Sequence, residues 1–422
     1  MDFGRAEFAA ASLSEVARGL RGSDILRMGA EVRARRAAGH PVCNLTVGDF
    51  DPAQFPIPAE LNDAITRALA AGQTNYPPAD GLPELREAVA ALYRDALGLD
   101  YPADGVLIGS GARPLLFSTF ATLVDPGDTV VYAVPSWNNH HYVHLSSARG
   151  IELSVSAATN FFPCAEDFEP HLASARLITL NSPLNPTGTM IDPEVLRGIC
   201  VRIVEENRRR ASRGQKALWL LYDQVYWQLA FGATAHVTPP ALVPEVAPFT
   251  VLLDAASKSY AATGLRVGWA LMPPAVRHRM ADIIGHVGAW APRAEQVAMA
   301  QLLRDRATLA RYRATMNAGI KQRLERLASG LRELRAAGAP VEVIDPQGAI
   351  YLSMRVNAPA RSNEAIRQHL LEHAGLAVIP FQAFGEKGDT GWFRLSVGAV
   401  SLAEIESALP RLRTALETLA AG

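Results

Sequence analysis

The sequence predicts an α/β protein in which helices cover both faces of a mainly parallel sheet, with a smaller α+β domain attached. From about residue 60 to residue 290, short apolar runs alternate with longer segments of helical periodicity, and this alternation is typical of parallel sheets. A long helical pattern follows, and after it come short strand and helix patterns. The chain has 422 residues, which is too many for one ordinary core.

Seven strands are predicted for the sheet, each a short apolar run of the kind that is buried on both faces. They are Val106–Gly109, Thr129–Ala133, Ile151–Val155, Leu177–Asn181, Ala217–Asp223, Thr250–Asp254 and Val267–Met272. Helical patterns lie between them, among them Glu84–Leu97, Pro114–Leu123 and Pro193–Arg210.

The C-terminal part of the chain predicts a separate, smaller domain. The helical pattern from Pro292 to about Ala336 is longer than most globular helices, and we expect it to connect the two domains. Beyond it the predicted elements are the strands Val341–Ile344, Ile350–Arg355 and Trp392–Ser396 and the helices Glu364–His373 and Leu402–Ala420. A helix at Asp24–Ala38, with Ser23 as its N-cap, is expected to join this domain.

These patterns divide the chain into three parts. We expect an N-terminal segment, residues 1–55, that joins the small domain. A large domain then covers residues 56–305, and residues 306–422 supply the connector helix and the C-terminal small domain.

Composition and charge exclude several classes of protein. With 49% hydrophobic and 20% charged residues, the chain is globular rather than disordered. Its 41 basic and 42 acidic residues nearly cancel, so we expect neither nucleic acid nor membrane as a partner. The run Arg208-Arg209-Arg210 is interpreted as a solvated helix end.

Cysteine usage and the N-terminal sequence predict a cytoplasmic protein. Cys43, Cys164 and Cys200 have no paired spacing, which is typical of reduced thiols. The first residues carry acids and no apolar core, unlike a signal peptide, and no apolar stretch is long enough to span a bilayer.

Polar side chains follow several predicted strands, at the edge where open α/β sheets bind ligands. After the first strand, residues 109–114 form a turn into a helix, which is either a phosphate site or only a tight turn. Pro114 excludes a dinucleotide fingerprint, because it occupies the third glycine position. After Asn181, two prolines and a glycine form a stiff loop around Asn185.

Two further strands end next to ionisable groups. Asp223 ends an apolar run, where it could be only a cap, and Tyr226 follows three residues later. Only four of the 41 basic residues are lysines, and Lys258 is the one that lies among small residues just after a strand. A lysine placed there is a candidate Schiff-base nucleophile, since desolvation or a neighbouring cation such as Arg266 lowers the pKa of its amine.

In its order of motifs the chain resembles the class I/II aminotransferases of the aspartate aminotransferase superfamily, which are pyridoxal 5'-phosphate enzymes of fold type I. The resemblance covers nearly the whole chain. Its motifs are Val47-Gly48-Asp49, residues 76–87 beginning at Tyr76, residues 181–188, Asp223-Gln224-Val225-Tyr226, residues 257–269 and Phe393-Arg394-Leu395-Ser396. The resemblance implies an aminotransferase that moves the α-amino group of an L-amino acid to a 2-oxo acid.

The resemblance also implies catalytic roles for individual residues. Lys258 would form a Schiff base with the cofactor and move a proton at the substrate's α-carbon. Asp223 would keep the pyridine nitrogen protonated, so that the ring accepts electrons. Asn185 and Tyr226 would hydrogen-bond the 3'-oxygen, and Trp137 would stack on the ring.

Further residues would bind the phosphate and the substrate. The implied phosphate ligands are Gly111, Ala112, Arg113, Ser257 and Arg266. Tyr76 would reach the phosphate of the partner subunit, which implies a homodimer with shared active sites. Arg394 would bind the substrate's α-carboxylate as a bidentate fork, next to Asn185 and the Gly48 amide.

Three positions depart from the family pattern. Ala255 stands where a phosphate-binding hydroxyl is common, and Gln224 stands where glutamate is common. Residues 286–293 do not match the pattern that would place an arginine for the substrate side chain, so the choice of substrate stays open.

Other functions remain as alternatives. One is a different pyridoxal-phosphate reaction, such as elimination or C–S lysis, cyclopropane formation, decarboxylation or oxidation, because one fold supports many chemistries. Another is a non-catalytic regulator, against which the full set of site residues argues. We expect no metal, since the group His140, His141 and His144 has no carboxylate or cysteine beside it.

Overall fold

The structure is a computed structural model that describes residues 10–20, 22, 24–231, 233 and 235–421. Its strands are β1 (Cys43–Asn44), β2 (Val106–Gly109), β3 (Thr129–Val134), β4 (Arg149–Ser154), β5 (Ala175–Asn181), β6 (Trp219–Asp223), β7 (Thr250–Ala255), β8 (Gly268–Leu271), β9 (Val341–Val343), β10 (Tyr351–Val356), β11 (Leu376–Ala377), β12 (Ile379–Pro380) and β13 (Trp392–Ser396).

Helices lie between most of these strands. They are α1 (Glu15–Gly19), α2 (Asp24–Ala37), α3 (Ala59–Ala70), α4 (Pro83–Leu97), α5 (Ala112–Leu123), α6 (Asn139–Leu145), α7 (Ala165–Leu172), α8 (Pro193–Ser212), α9 (Pro239–Leu242), α10 (Ala256–Ser259), α11 (Pro274–Val287), α12 (Arg293–Arg304), α13 (Arg306–Ala336), α14 (Asn363–His373) and α15 (Leu402–Ala421). None of the helices in the described ranges is both long and apolar enough to cross a membrane.

The large sheet confirms the predicted fold class. Its seven strands run in the order β2-β8-β7-β6-β5-β3-β4, and all are parallel except β8, which is antiparallel to both neighbours. Each predicted strand is present, with ends within two residues of the prediction. Apolar clusters cover the two faces of this sheet, as expected where helices pack on both sides.

The register of the central strands determines which residues share an edge. Asn181, at the end of β5, pairs with Asp223 at the end of β6, and Asp223 pairs with Leu253 on β7. Lys258 follows β7 by three residues. The carboxyl ends of these three strands therefore bring an amide, a carboxylate and an amine to one edge of the sheet.

The long helical pattern before the C-terminal region is two helices rather than one. Between α12 and α13, Asp305 leaves the helical conformation, with φ −88° and ψ 84°, and its side chain accepts from the amide of Thr308 at 3.0 Å. Such a contact satisfies a free amide at the start of a helix, so a new helix begins at Arg306.

A second apolar core contains side chains of β10, β13, α13, α14 and α15, together with Leu45 and Phe50 from the N-terminal part. Its sheet is antiparallel, in the order β12-β13-β10-β9. Glu31 of α2 contacts Arg367 of α14 at 2.9 Å, so the N-terminal helix packs against this part of the chain. The domain limits at residues 55 and 305 stay a prediction, and Ser23 lies outside the described residues.

The interpretation of the arginine run is wrong for one of its members. Arg210 is 5% exposed. Its guanidinium donates to the carbonyl oxygens of Leu172 and Ala175 at 2.6 and 2.7 Å, and to the carboxylate of Glu206 at 2.9 Å. The guanidinium of Arg210 is therefore buried and links α8 to the chain around β5 by hydrogen bonds, and it is not a solvated charge.

Candidate active site

The turn after β2 brings backbone and a guanidinium into close contact. Gly111 has φ 79°, a conformation that L side chains rarely adopt, and a Cβ there would lie 2.3 Å from Nη2 of Arg266. The same Nη2 donates to the carbonyl of Ser110 at 2.8 Å. Helix α5 begins at Ala112, so free amides at its start and the Arg266 guanidinium form one electropositive site that suits an anion.

Lys258 lies on the one-turn helix α10, with Ser257 directly before it. Its Nζ donates to the carbonyl oxygen of Gly48 at 2.5 Å. The ring centroids of Phe50 and Tyr226 are each 5.9 Å from Nζ. The amine is therefore enclosed by a loop from the N-terminal part of the chain and by the turn after β6.

Burial lowers the pKa of the Lys258 amine from 10.5 to about 8; Asp49 opposes this shift, and Arg394 adds to it. The other three lysines differ from Lys258 in their surroundings. They form ion pairs at the surface, with side chains 66%, 53% and 83% exposed: Lys216 with Asp125, Lys321 with Glu325 and Lys387 with Glu152. Burial thus prepares Lys258 to lose its proton near neutral pH.

Asp223 is a partly buried carboxylate at the end of β6. Its Oδ1 accepts from the amide of Val225 at 3.1 Å, and Asn181 donates to its backbone carbonyl at 2.9 Å. Burial raises the pKa of its carboxyl from 3.8 to about 6, and the Val225 amide opposes the shift. A cationic donor placed beside this carboxylate would favour its ionised form.

Arg394 projects from β13 into the same space. It is 1% exposed; Nη1 donates to Oδ1 of Asn185 at 3.1 Å, and Nη2 donates to the carbonyl of Thr46 at 2.7 Å. Its Nε is buried and has no hydrogen-bond partner among the described residues. A buried, unpaired guanidinium N–H is costly, so its presence indicates that a ligand acceptor, such as a carboxylate, completes the site.

Trp137 and Arg113 lie on the outer side of this space. The Arg113 guanidinium is 5.3 Å from the centroid of the Trp137 ring, and the Phe384 ring is 6.2 Å from the same tryptophan. Tyr76 is elsewhere: it is 80% exposed and contacts Trp290 edge to face at 5.3 Å.

Two side-chain contacts of the site have no signal in the sequence. Tyr351, at the start of β10, places its Oη 2.6 Å from Oη of Tyr226. Asp49 accepts from the hydroxyl of Thr263 at 2.7 Å, and this bond ties the Gly48 loop to the chain beyond Lys258. These contacts join segments far apart in the chain, so periodicity and local motifs cannot reveal them.

The unusual Gln224 faces away from Lys258, into a buried polar cluster. Its Nε2 donates to Oη of Tyr93 at 3.1 Å, and Tyr93 donates to Oδ2 of Asp254 at 3.0 Å. The indole of Trp227 donates to the same Oδ2 at 2.7 Å. Burial raises the pKa of Asp254 from 3.8 to about 7, against the effect of these donors.

The histidines of α6 have other partners than a metal. The rings of His140 and His141 lie 4.0 Å apart, and Nε2 of His144 contacts the carbonyl of Val16 in α1 at 2.8 Å. Within the described ranges, no three histidine, cysteine, aspartate or glutamate side chains form a group that could hold a metal ion.

Known proteins resemble this chain over almost its whole length. A family profile described as aminotransferase class I and II matches residues 40–412. A probable aspartate/prephenate aminotransferase of Thermus aquaticus is 30% identical over 410 residues, which cover 96% of this chain and 99% of that protein. An aspartate aminotransferase of Rhizobium meliloti is 29% identical over 409 residues, or 94% of each chain.

Solved structures agree with these relatives. The aspartate aminotransferase of Thermus thermophilus with maleate superposes with a TM-score of 0.86 at 27% identity, covering 96% of this chain and 99% of that one. The predicted resemblance is thereby confirmed. From its family match and its fold, the chain belongs to the class I and II aminotransferases.

Proposed function

We propose that this aminotransferase uses pyridoxal 5'-phosphate, held through Lys258, to move the α-amino group of an L-amino acid to a 2-oxo acid. The observation that carries the proposal is the Lys258 amine, whose pKa burial lowers to about 8, at one sheet edge with Asp223 and Arg394. When bound, pyridoxal phosphate supplies an aldehyde that reacts with amines and a ring that withdraws electrons from the amino acid's α-carbon.

The residues present fit this cofactor. The backbone of Gly111 and Ala112 at the start of α5, with the Arg266 guanidinium in contact, suits a phosphate group. Ser257 precedes Lys258 on α10 and would add a hydroxyl, which matters because Ala255 has none. Arg113 would add positive charge on the outer side.

Trp137 and the residues that follow β5 and β6 would hold the ring. Asp223, whose carboxyl pKa desolvation raises to about 6, would accept from a protonated ring nitrogen, and that cation would stabilise the carboxylate in turn. Asn185 and Tyr226 would hydrogen-bond the ring's oxygen from the opposite side. Tyr226 is 3% exposed, so its hydroxyl has few competing partners.

Arg394 would bind the substrate's α-carboxylate. Its unpartnered Nε provides a donor that no protein group in the described part of the chain satisfies, and Asn185 holds Nη1 at 3.1 Å. The Gly48 backbone lies next to this guanidinium, since a Cβ at Gly48 would be 3.6 Å from Nη1. A side chain at position 48 would therefore compete with the substrate for space.

Lys258 would then act on the substrate's α-proton through Nζ. An amine with a pKa of about 8 is partly neutral at physiological pH, so it can accept a proton and return it to a neighbouring carbon. The carbonyl of Gly48, 2.5 Å away, orients Nζ, and the rings of Phe50 and Tyr226 exclude water from it.

We also propose a homodimer with shared sites. The side chain of Tyr76 is 80% exposed next to Trp290 and so is free to contact a second chain, where it would reach the phosphate bound by the partner subunit. Cytoplasmic location is part of the proposal as well, supported by three free thiols, Cys43, Cys164 and Cys200.

The test is a screen of amino-group donors and 2-oxo acid acceptors with purified protein and pyridoxal phosphate. We expect transfer that requires both substrates, and aspartate is the first donor to try because the relatives are named for it. Release of 2-oxo acid and ammonia without an acceptor would contradict transfer and indicate an eliminase.

A further inference from the structure

Tyr351 is a buried phenol to which the assignments above give no role. It is 1% exposed and pairs with Ser396 where β10 meets β13. Its Oη lies 2.6 Å from Oη of Tyr226, and the two rings meet edge to face with centroids 5.5 Å apart. This contact joins β10 to the turn after β6.

The direction of this hydrogen bond follows from the surroundings of the two phenols. Two hydroxyls carry two protons and use only one between them. Burial raises the pKa of both phenols. The Arg394 guanidinium lies 4.6 Å from the centroid of the Tyr351 ring, whereas Nζ of Lys258 is 5.9 Å from the centroid of the Tyr226 ring. Because a cation close to a phenol makes its O–H a better donor, this geometry assigns the shared proton to Tyr351, and the proton of Tyr226 stays free for a third group.

Tyr351 also touches the substrate side of the pocket. The Arg394 guanidinium lies 4.6 Å from the centroid of its ring, within the range of a cation–π contact. A Cβ at Gly48 would come 2.9 Å from its Oη, so backbone packs directly on the hydroxyl. One side chain thus contacts both the residue that would bind the cofactor's oxygen and the residue that would bind the carboxylate.

We propose that Tyr351 is a positioning residue of the aminotransferase reaction, whose hydroxyl donates to Tyr226 and strengthens the bond that Tyr226 donates to the cofactor's 3'-oxygen. The inference rests on the proposed function, which gives Tyr226 that partner. Hydrogen bonds in a chain polarise one another. The bond between the two tyrosines also fixes the position of the Tyr226 hydroxyl.

The test separates the hydroxyl of Tyr351 from its ring. Tyr351→Phe removes only the donor. When the cofactor-loaded enzyme is titrated with pH and followed by its visible absorbance, the midpoint of the titration should rise by about 0.1–0.7 pH unit. The reason is that an ionised 3'-oxygen is then stabilised less. The KM for the amino acid should stay within about twofold, because the ring under Arg394 remains. Tyr351→Leu removes the ring too and should raise this KM.

The ionisable groups around the two phenols stay in place in Tyr351→Phe. They are Lys258, Asp223, Arg394 and Asp49. A change of midpoint in this variant therefore reports the lost hydroxyl rather than a lost charge. The melting temperature and the fraction of bound cofactor are measured alongside, since a merely structural role would lower stability and leave the midpoint unchanged.

The deciding experiment is a double-mutant cycle. If Tyr351 acts only through Tyr226, then Tyr351→Phe should shift the midpoint in the natural background and leave it unchanged in a Tyr226→Phe background. An equal shift in both backgrounds, or none in the natural one, would overturn the proposal. Those results leave the donor and acceptor screen unaffected, so failure here is distinguishable from failure of the proposed function.

If Tyr351→Phe does not fold, 3-fluorotyrosine at position 351 tests the same bond. Fluorine makes this phenol a stronger acid and a better donor, so the midpoint should fall. A midpoint that does not move would count against the proposal.

Discussion

Gln224→Glu should destabilise the protein, and more so as the pH rises. Gln224, Tyr93 and Asp254 are each fully buried. The Gln224 amide donates to Tyr93, whose own proton goes to Asp254. With glutamate at position 224, the one tyrosine proton could go to only one of two carboxylates. Asp254 has Trp227 and Ala255 as further donors, so the introduced carboxylate, which would depend on Tyr93, is the one left short of a donor.

The size of the effect depends on whether the introduced carboxyl group is ionised or protonated in the folded variant. An uncompensated buried charge costs about 3–5 kcal/mol. Holding the carboxyl protonated instead costs about 1.4 kcal/mol for each pH unit above its unfolded pKa of about 4.3, hence about 1 kcal/mol at pH 5 and about 5 kcal/mol at pH 8. The folded state keeps a proton that the unfolded state loses, so stability relative to the natural protein falls as the pH rises.

Scanning calorimetry at pH 5 and pH 8, with equal protein and cofactor concentrations, measures this difference. A loss of about 3–5 kcal/mol corresponds to a drop in Tm of about 6–20 °C for domains of this size. Asp254→Asn should restore part of the loss at pH 8, because Tyr93 can then donate to the introduced carboxylate. Gln228→Glu is the matched control, since Gln228 also donates to a buried tyrosine, Tyr260. Adding Asp254→Asn should restore less of the stability lost in Gln228→Glu than of that lost in Gln224→Glu. Equal losses at the two pH values, or full additivity with Asp254→Asn, would refute the reasoning.

Three further predictions concern the site. Asp223→Asn should lower turnover per bound cofactor by about 10- to 100-fold, with little change in Tm, because a neutral amide cannot keep the ring nitrogen protonated; activity within about twofold of the natural enzyme would contradict this. Arg394→Lys should raise KM for the amino acid by about tenfold or more and leave the absorbance without substrate unchanged, since lysine offers no bidentate fork; an unchanged KM would place the carboxylate elsewhere. When a Lys258→Ala chain is mixed after dissociation with a Tyr76→Phe chain, the mixture should recover about a quarter of the natural activity, since about half of the dimers are mixed and each has one intact site. No recovery despite chain exchange would mean that Tyr76 serves its own subunit.

The sequence was sufficient for the large sheet and for the main groups at its edge. Except for the edge strand β4, which is largely exposed or half-buried, the strands of the large sheet are apolar runs between turn residues, the pattern typical of strands buried on both faces. The scarcity of lysine singled out Lys258, because a polar residue just after a strand in a parallel sheet lies at the ligand-binding edge.

The remaining contacts depend on where distant segments meet. Tyr351 lies in an ordinary strand pattern, and its bond to Tyr226 spans 125 residues. Arg210 is in a basic run that resembles a solvated helix end, yet its burial depends on carbonyls from α7 and β5. Asp305 divides the long helical pattern by capping the following helix, although its periodicity continues. In each case, tertiary contacts override a local pattern.

Borohydride reduction of the yellow, cofactor-loaded enzyme, followed by peptide mapping, tests the central assignment most directly. The pyridoxyl label should lie on Lys258 alone, because burial lowers the pKa of its amine to about 8 while Lys216, Lys321 and Lys387 are paired at the surface. Lys258→Ala should bind the cofactor without covalent label and lose turnover. Label on Lys216 or Lys387, or turnover retained in Lys258→Ala, would contradict the assignment.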